Sequence, residues 1–521
     1  MPLRLRTVPF ATLFFVALAA AGGCNSSSTP APTPGAGGST QTNSSGGTGG
    51  DSPSEATGGK PLKLLVVDDP SLAATLQREW RTIANEPLEM AELTLAEVEA
   101  AERLPAADVI LYPTSLLGSL VDKQALVPLP DAFWNGDRIE RRQLLEIPRK
   151  RLAMWGEKPF AVPLGEPTPV FVYRADIFES LRLSPPGLWS DFQTQAGRLS
   201  TREEVGALAP PASDAWYGLL EPLAPGSAAT TLLVRAAPYA RHRNQYSTLF
   251  DLVTFDPLIA SPPFVKALED LVATHGMNPG PVLEMDAAAV RREILAGRAA
   301  GGITWSVAAR PTTSDAPTTG TAPTDSPAEP PADEAADARR FGVAAAPGAA
   351  SAYIAGQKRW ETRPEDDPAF VPVLGIQGRL GSVMRSSRRP GAASNLLAML
   401  STADWSVRVL AASPATGPSR TSHLESPDRW IDPRLAGEPA RQYAAVVREQ
   451  QRAPLWLVVP RIPGQAQYLA ALDAAVRSAV QGEKTPEEAL ASASAEWQKI
   501  TDERGRDRQK AIYRQCLGVD P

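Results

Sequence analysis

The sequence is poor in the residues that most often build covalent cross-links and metal sites. Its 521 residues include two cysteines, Cys24 and Cys516, and three histidines. Because Cys24 falls in an N-terminal leader, a disulfide framework is excluded. The histidines lie far apart in the chain, without the short spacing of metal-ligand motifs, at His242, His275 and His423. The sequence therefore predicts no metal site.

Motifs of the common enzyme classes are missing as well. The chain has no G-x-S-x-G nucleophile elbow, no P-loop ending in Gly-Lys-Ser or Gly-Lys-Thr, and no H-E-x-x-H. Cys516 has no histidine near it in the sequence, which argues against a thiol nucleophile. The formal net charge of -6 gives no basic footprint for nucleic acid. These absences predict a protein that is not an enzyme, needs no cofactor and does not bind nucleic acid.

The N-terminal residues 1–24 have the pattern of a secretory leader. Two arginines precede an apolar run, Phe10 to Ala21, that is short for a membrane span and typical of a signal core. The run ends in Ala-Gly-Gly-Cys, which resembles a bacterial lipobox. Cleavage before Cys24 would leave that cysteine as a lipidated N-terminal residue. The alternative is ordinary signal cleavage beside an incidental cysteine.

Two segments have almost no apolar side chains. Residues 25–60 consist mostly of Ser, Gly, Thr, Pro and Ala, and residues 311–338 of Pro, Thr, Ala, Asp and Glu. Such sequences cannot bury enough apolar surface to fold. We expect the first to be a flexible tether behind the leader, and the second to be a disordered insertion in a surface loop.

The globular part opens with three short apolar runs, which predict strands at Leu62–Val67, Leu88–Leu93 and Val109–Tyr112. Apolar residues at helical spacing separate the first two runs. Thr94 and Glu97 form a capping box that predicts the start of a second helix. This β-α-β-α-β order is typical of a doubly wound sheet, in which ligands bind beyond the carboxyl ends of the strands.

Polar residues follow two of these strands and are candidate ligand contacts. Asp69 comes after the first strand, and Thr114 and Ser115 come after the third. The alternative role of each residue is to cap the helix that follows it.

Patterns near the C-terminus predict three further helices. Apolar residues suggest one helix over Ala392–Leu410. A later amphipathic stretch is ended by Gly482, and Thr485 with Glu488 forms a capping box at the start of a final helix.

The stretch Trp155–Trp189 places two apolar runs on either side of a Gly/Pro-rich break at 165–169. It resembles the crossover segment of extracellular solute-binding proteins of ABC transporters, in the maltose-binding-protein-like class. Residues 257–272, 290–305 and 468–501 resemble further segments of that family in the same order. The resemblance covers about residues 61–505.

The resemblance implies an α/β fold of two lobes, the type II periplasmic-binding-protein-like fold. Each lobe would be a mixed sheet flanked by helices, with the ligand cleft between the lobes. The expected divisions are a lipoprotein signal peptide (1–24), a tether (25–60), the first part of lobe 1 (61–165), the first part of lobe 2 with its insertion (166–345), a return to lobe 1 (346–425), and C-terminal helices packing mainly on lobe 2 (426–521).

The resemblance also suggests ligand contacts beyond the strand ends. They are Glu166 in the crossover, Trp216 and Tyr217 at the entry to lobe 2, Trp305 at a strand end, Arg379 in the return, and Arg461 before the last helices. Trp305 is the preferred aromatic for stacking on a sugar ring. The aromatic residues could equally pack in a core, and Arg379 could equally have a role on the protein surface.

The function implied is that of a lipid-anchored solute-binding protein in the cell envelope, facing the periplasm or the exterior. The resemblance favours a carbohydrate as the ligand, an ABC transporter permease as the partner, and a monomer. One alternative is a lipid-anchored protein of the same fold without a transport role, such as a sensor or scaffold. A second, less favoured, is an enzyme on a similar fold.

Overall fold

A computed structural model describes residues 61–83, 87–278, 280–309, 339–364 and 369–519. The predicted leader, the tether and the insertion at 311–338 lie outside these residues, and so does Cys24. Of the helices described, none is long and apolar enough to cross a membrane.

The described residues form a mixed α/β structure. The strands are β1 (Leu62–Val67), β2 (Leu88–Leu93), β3 (Val109–Tyr112), β4 (Met154–Trp155), β5 (Lys158–Pro159), β6 (Val162–Gly165), β7 (Val170–Arg174), β8 (Tyr217–Leu220), β9 (Ala299–Thr304), β10 (Phe341–Ala345), β11 (Ser351–Ile354), β12 (Arg359–Thr362), β13 (Val373–Leu374), β14 (Arg379–Val383) and β15 (Leu457–Val458).

Helices lie between these strands and after the last of them. They are α1 (Pro70–Ile83), α2 (Leu95–Ala100), α3 (Leu117–Asp122), α4 (Asp131–Trp134), α5 (Ala175–Ser180), α6 (Trp189–Leu199), α7 (Arg202–Val205), α8 (Ala228–Ala240), α9 (Pro262–His275), α10 (Ala287–Leu295), α11 (Pro390–Leu400), α12 (Ala403–Ala412), α13 (Thr421–Glu425), α14 (Glu438–Gln450), α15 (Gln465–Val480), α16 (Pro486–Arg504) and α17 (Arg506–Leu517).

The first sheet has the strand order β2-β1-β3-β14-β6. The first three strands are parallel, while β14 is antiparallel to both of its neighbours. The buried, nearly continuous apolar sequence of β1 and β3 is what a parallel strand covered on both faces requires. The predicted bounds of β1, β2 and β3 are confirmed. We call this sheet with α1–α4, α11 and α12 the first lobe.

The second sheet has the order β10-β7-β9-β8. Strand β7 runs antiparallel to β9 and β10, and β8 runs parallel to β9. We call this sheet with α5–α10 and α14–α16 the second lobe. The chain passes directly from β6, an edge strand of the first sheet, to β7 of the second sheet. The predicted crossover and the predicted two-lobed α/β fold are therefore confirmed.

The predicted helix Ala392–Leu410 is wrong in one respect, because the structure has two helices there, α11 and α12. They are separated at Ser401 and Thr402. Both hydroxyls donate to carbonyl oxygens three residues earlier, Ser401 Oγ at 2.9 Å and Thr402 Oγ1 at 2.8 Å. Such local side-chain bonds compete with helix continuation. The two predicted capping boxes are both present.

The hairpin β11–β12 falls within residues 346–425, the stretch expected to return to lobe 1, yet it packs against helices of the second lobe. The ring of Trp360 lies 6.0 Å from that of Tyr239 on α8. Arg363 Nη2 donates to the carbonyl oxygen of Pro238 at 2.5 Å. The first sheet is resumed only at β14, so the structure places the hairpin with the second lobe.

Helix α17 lies beyond the part of the chain that the family resemblance covers. Arg508 near its start pairs with Asp122 of α3 at 2.7 Å. Gln515 near its end accepts a hydrogen bond from Trp155 Nε1 at 3.0 Å, and Tyr513 between them bonds Ser247 at 3.1 Å. Since Asp122 and Trp155 precede β6 while Ser247 precedes α9, α17 packs against both lobes.

Candidate functional site between the lobes

Asp69, one of the predicted site residues of the first lobe, forms a closed network with Arg379. Arg379 Nε donates to Asp69 Oδ2 at 2.8 Å, and its two Nη atoms donate to the carbonyl oxygens of Gly378 and Asp68. Asp69 also caps α1 through Leu72 N and accepts from Ser413 Oγ. Both charged side chains are buried. The pair therefore joins the end of β1 to the start of β14, and its polar atoms face protein.

Glu166 lies in the crossover and joins three segments. Its Oε1 accepts from the backbone N–H of Gly375 at 2.7 Å, and its Oε2 accepts from Thr114 Oγ1 at 3.1 Å. Burial raises the pKa of Glu166 to about 7, because desolvation outweighs these hydrogen bonds and the nearby charge of Arg461. The carboxyl thus sits among residues from the first lobe, the crossover and the return segment.

Gly378 allows this close packing. Its φ of +66° favours glycine, and a Cβ at this position would lie 2.0 Å from Glu166 Oε2 and 2.5 Å from Thr114 Oγ1. Ser115 is also buried, on the short turn that follows β3. The glycine therefore lets the return segment reach the two polar side chains.

Arg461 is buried, and its guanidinium forms hydrogen bonds to backbone carbonyl groups. Its guanidinium donates to the carbonyl oxygens of Arg151 at 3.1 Å and Leu152 at 2.9 Å, and it lies 5.7 Å from the ring of Trp155. Gln465, at the start of α15, is buried too. The loop before α15 thus packs onto the first lobe, and Arg461 has its charge near Glu166.

The predicted aromatic contacts do not lie together. Trp305 follows β9 at the end where Thr304 pairs with Val170, next to the crossover. Tyr217 pairs with Ala299 at the opposite end of β9, roughly 20 Å away by the rise of a strand. Trp216 Nε1 donates to the carbonyl oxygen of Leu199. Trp216 and Tyr217 therefore pack in the second lobe away from the crossover.

Trp305 has the predicted position but little free surface, being 4% exposed. The space beside Glu166, lined among others by Thr168, Leu374 and Gln450, has a volume of only about 20 Å³. That volume holds about one water molecule. In this conformation the crossover end of the cleft is filled by the protein's own side chains.

A larger groove lies at the edge of the same interlobe region, with a volume of about 660 Å³. We call it the interlobe groove. Its lining comes from the end of β1, from α2 and from α15 and α16: Asp68, Thr94, Leu95, Ala96, Glu99, Ala100, Ala466, Gln467, Ala470 and Arg504. Sequence reasoning missed most of these residues, and it predicted Thr94 only as the cap of a helix.

Comparisons with known proteins agree with this architecture. The sequence model of the bacterial extracellular solute-binding protein family matches residues 94–353. The chain belongs to this family. Its members are binding proteins, and the family description places them outside the cytoplasm. No curated protein matches the chain.

Solved structures of low sequence identity share the fold. An ABC transporter solute-binding protein from Agrobacterium radiobacter K84, in complex with ribitol, is 17% identical with a TM-score of 0.61, over 85% of this chain and 99% of that one. One from Agrobacterium vitis S4, with bound D-mannitol, is 15% identical with a TM-score of 0.58, over 85% and 99%. Maltose-bound MalE3 of T. maritima is 16% identical with a TM-score of 0.56, over 84% and 100%.

Proposed function

We propose that this family member is a lipid-anchored protein of the cell envelope that captures a small hydroxylated solute, a carbohydrate or polyol, for an ABC transporter. Structures that share its fold hold ribitol, D-mannitol and maltose. The expected lipobox cysteine, Cys24, and the tether behind it fit a protein held at a membrane surface. The permease partner follows from the family alone.

The observation that carries the ligand proposal is the interlobe groove. Its volume falls in the range of small-molecule sites. Carboxylate, hydroxyl, amide and guanidinium groups converge on it from Asp68, Thr94, Gln467 and Arg504. Of these, the carboxylate, amide and guanidinium groups are planar and can bond neighbouring hydroxyls of a polyol. Walls from both lobes would let a bound solute favour closure of the hinge.

The alternative is a binding fold without a transport role, and the close packing at the crossover supports it. There Asp69 pairs with Arg379, Glu166 accepts from Gly375 N–H, and the space beside Glu166 holds only about one water molecule. A scaffold needs no large cavity at that point. The groove favours the transport-type function because it offers a solute-sized space that a purely structural protein does not need.

Isothermal titration of the purified full-length protein with ribitol, D-mannitol and maltose tests the proposal. Replacing the exposed Ala470 with Trp puts a ring into the groove and should abolish binding there. The matched control is Ala491→Trp, on an exposed position of α16 away from the groove, which should leave binding unchanged. No heat with any hydroxylated solute, or equal binding by both tryptophan variants, would reject the groove as the site.

A further inference from the structure

Helix α17 is firmly attached to the second lobe. It follows α16 through Gly505, whose φ of +87° lets the chain change direction between the two helices. Tyr513 of α17 is buried, and its ring lies 5.2 Å from that of Phe250 and 5.7 Å from that of Phe255. Arg506 Nη1 donates to the carbonyl oxygen of Phe255 at 3.2 Å. Buried aromatic contacts therefore hold α17 on the loop that joins α8 to α9.

The same helix reaches the first lobe through polar contacts. Arg508 forms two hydrogen bonds to Asp122 at the end of α3, Nε to Oδ1 at 3.1 Å and Nη2 to Oδ2 at 2.7 Å. Gln515 Oε1 accepts from Trp155 Nε1 at 3.0 Å. Because Trp155 is only 6% exposed, its N–H would lose its acceptor if α17 moved away from it. These contacts therefore favour the arrangement in which α17 lies against both lobes.

The Asp122–Arg508 pair does not stabilise the helices that carry it. Asp122 is the last residue of α3, and Arg508 lies in the first turn of α17. The helix dipole favours cations at a C-terminus and anions at an N-terminus, so each charge lies at the less favourable end of its helix. The Arg508 side chain is 63% exposed, and water can replace such a contact at little cost. The pair thus joins two lobes by a contact that can open.

The covalent links between the lobes are short. Residues 166–169 join β6 to β7. Strand β13, which precedes β14 of the first lobe, and strand β15, which follows α14 of the second, have two residues each and pair with one another. A few residues of this kind can absorb the backbone rotation of a hinge. The contacts of α17 add a constraint on the lobes that these links do not supply.

We propose that α17 is a strap that holds the two lobes in the arrangement seen here and restricts their hinge movement. The helix stays on the second lobe through Tyr513, and it separates from the first lobe when the contacts of Arg508 and Gln515 break. Because those contacts exist in only one arrangement of the lobes, they shift the equilibrium toward it. The strap acts on the protein without ligand, so it does not rest on the proposed solute or on the interlobe groove.

Distances between spin labels on the two lobes test the strap in the full-length protein without ligand. Keto amino acids at the exposed positions Gln77 on α1 and Glu269 on α9 carry the labels and leave both cysteines in place. Arg508→Asp makes the pair repulsive and should lower the population ratio of the wild-type distance to other distances roughly fivefold. Adding Gln515→Ala should lower the ratio further, because the N–H of Trp155 then loses its acceptor.

An exchange of charges is the rescue experiment. Asp122→Arg combined with Arg508→Asp restores an ion pair and should restore the wild-type distances. Each new charge also lies at the end of its helix that the dipole favours, so neither helix is weakened. The matched control is Asp507→Ala, because Asp507 is fully exposed and pairs with Lys510 of the same helix.

Three results would each overturn the strap. They are wild-type distances in the combined Arg508→Asp and Gln515→Ala variant, an equal change of distances in Asp507→Ala, and failure of the charge exchange to restore the wild-type distances.

Discussion

Glu166 is the residue at which the first lobe, the crossover and the return segment meet. Its carboxyl accepts hydrogen bonds from Thr114 and Gly375 while it is buried. The raised pKa, about 7 against an ordinary value of 4.5, means that the folded protein holds a proton that the unfolded chain releases. Between these two values the folding free energy must therefore become less favourable as the pH rises.

Replacing Glu166 with Gln should remove that dependence. The glutamine carbonyl still accepts from Gly375 N–H but has no charge to desolvate. We expect wild type to lose up to about 3 kcal/mol of unfolding free energy between pH 4.5 and 8 relative to the variant, following the pKa difference. Urea unfolding at pH 5, 6.5 and 8 measures it. The control is Glu203→Gln on an exposed position of α7, and parallel pH profiles of wild type and Glu166→Gln would contradict the assignment.

Trp305 is placed next to the crossover but is 4% exposed. Its replacement by Ala should lower the unfolding free energy by roughly 3–5 kcal/mol, the range for large aromatic residues in a core. Trp360, which is 40% exposed on β12, is the control and should lose much less. Chemical denaturation compares the two. A stable Trp305→Ala protein with weakened solute binding would show instead that the ring stacks on ligand.

At the scale of elements, the helix starts are governed by local chemistry. Thr485 Oγ1 accepts from Glu488 N at 3.2 Å, and Glu488 Oε2 accepts from Thr485 N at 3.1 Å. This reciprocal box satisfies two backbone N–H groups that the helix cannot. Helix α16 then buries one side of itself against α15 through Leu490 and Trp497.

Thr485→Ala should therefore lower the unfolding free energy by about 1 kcal/mol, the usual effect of losing an N-cap side chain. Ser494→Ala in the interior of the same helix should be neutral or slightly stabilising, because alanine has the higher helix propensity. Thermal unfolding of both variants makes the comparison. Equal melting temperatures for the two would show that packing, and not the cap, fixes the start of α16.

At the scale of the whole molecule, the proposed anchor at Cys24 and the two lobes are different parts of the chain. The described residues include no membrane-spanning helix, and the anchor proposed is an acylated Cys24. Replacement of Cys24 with Ala should release the protein from membrane fractions, because lipidation would be its attachment. Fractionation followed by immunoblotting measures this. Retention of the variant at the membrane would disprove the lipoprotein assignment.

Much of the fold was predictable because its signals are local. The bounds of β1, β2 and β3 follow from short apolar runs, and both capping boxes follow from residues three apart in sequence. The break between α11 and α12 was not predicted, because apolar spacing continues across it while two hydroxyls bond the backbone. Periodicity reports which face is buried and is insensitive to such a local competition.

The candidate site was less predictable, because its contacts join distant parts of the chain. The sequence by itself determined that polar residues follow β1 and β3 and that a crossover joins two sheets. Only the tertiary structure decided that Arg379 pairs with Asp69, which lies 310 positions away, and that Tyr217 lies at the far end of β9 from Trp305. A strand's sequence specifies its alternation of faces, whereas its register and neighbours depend on packing across the whole chain.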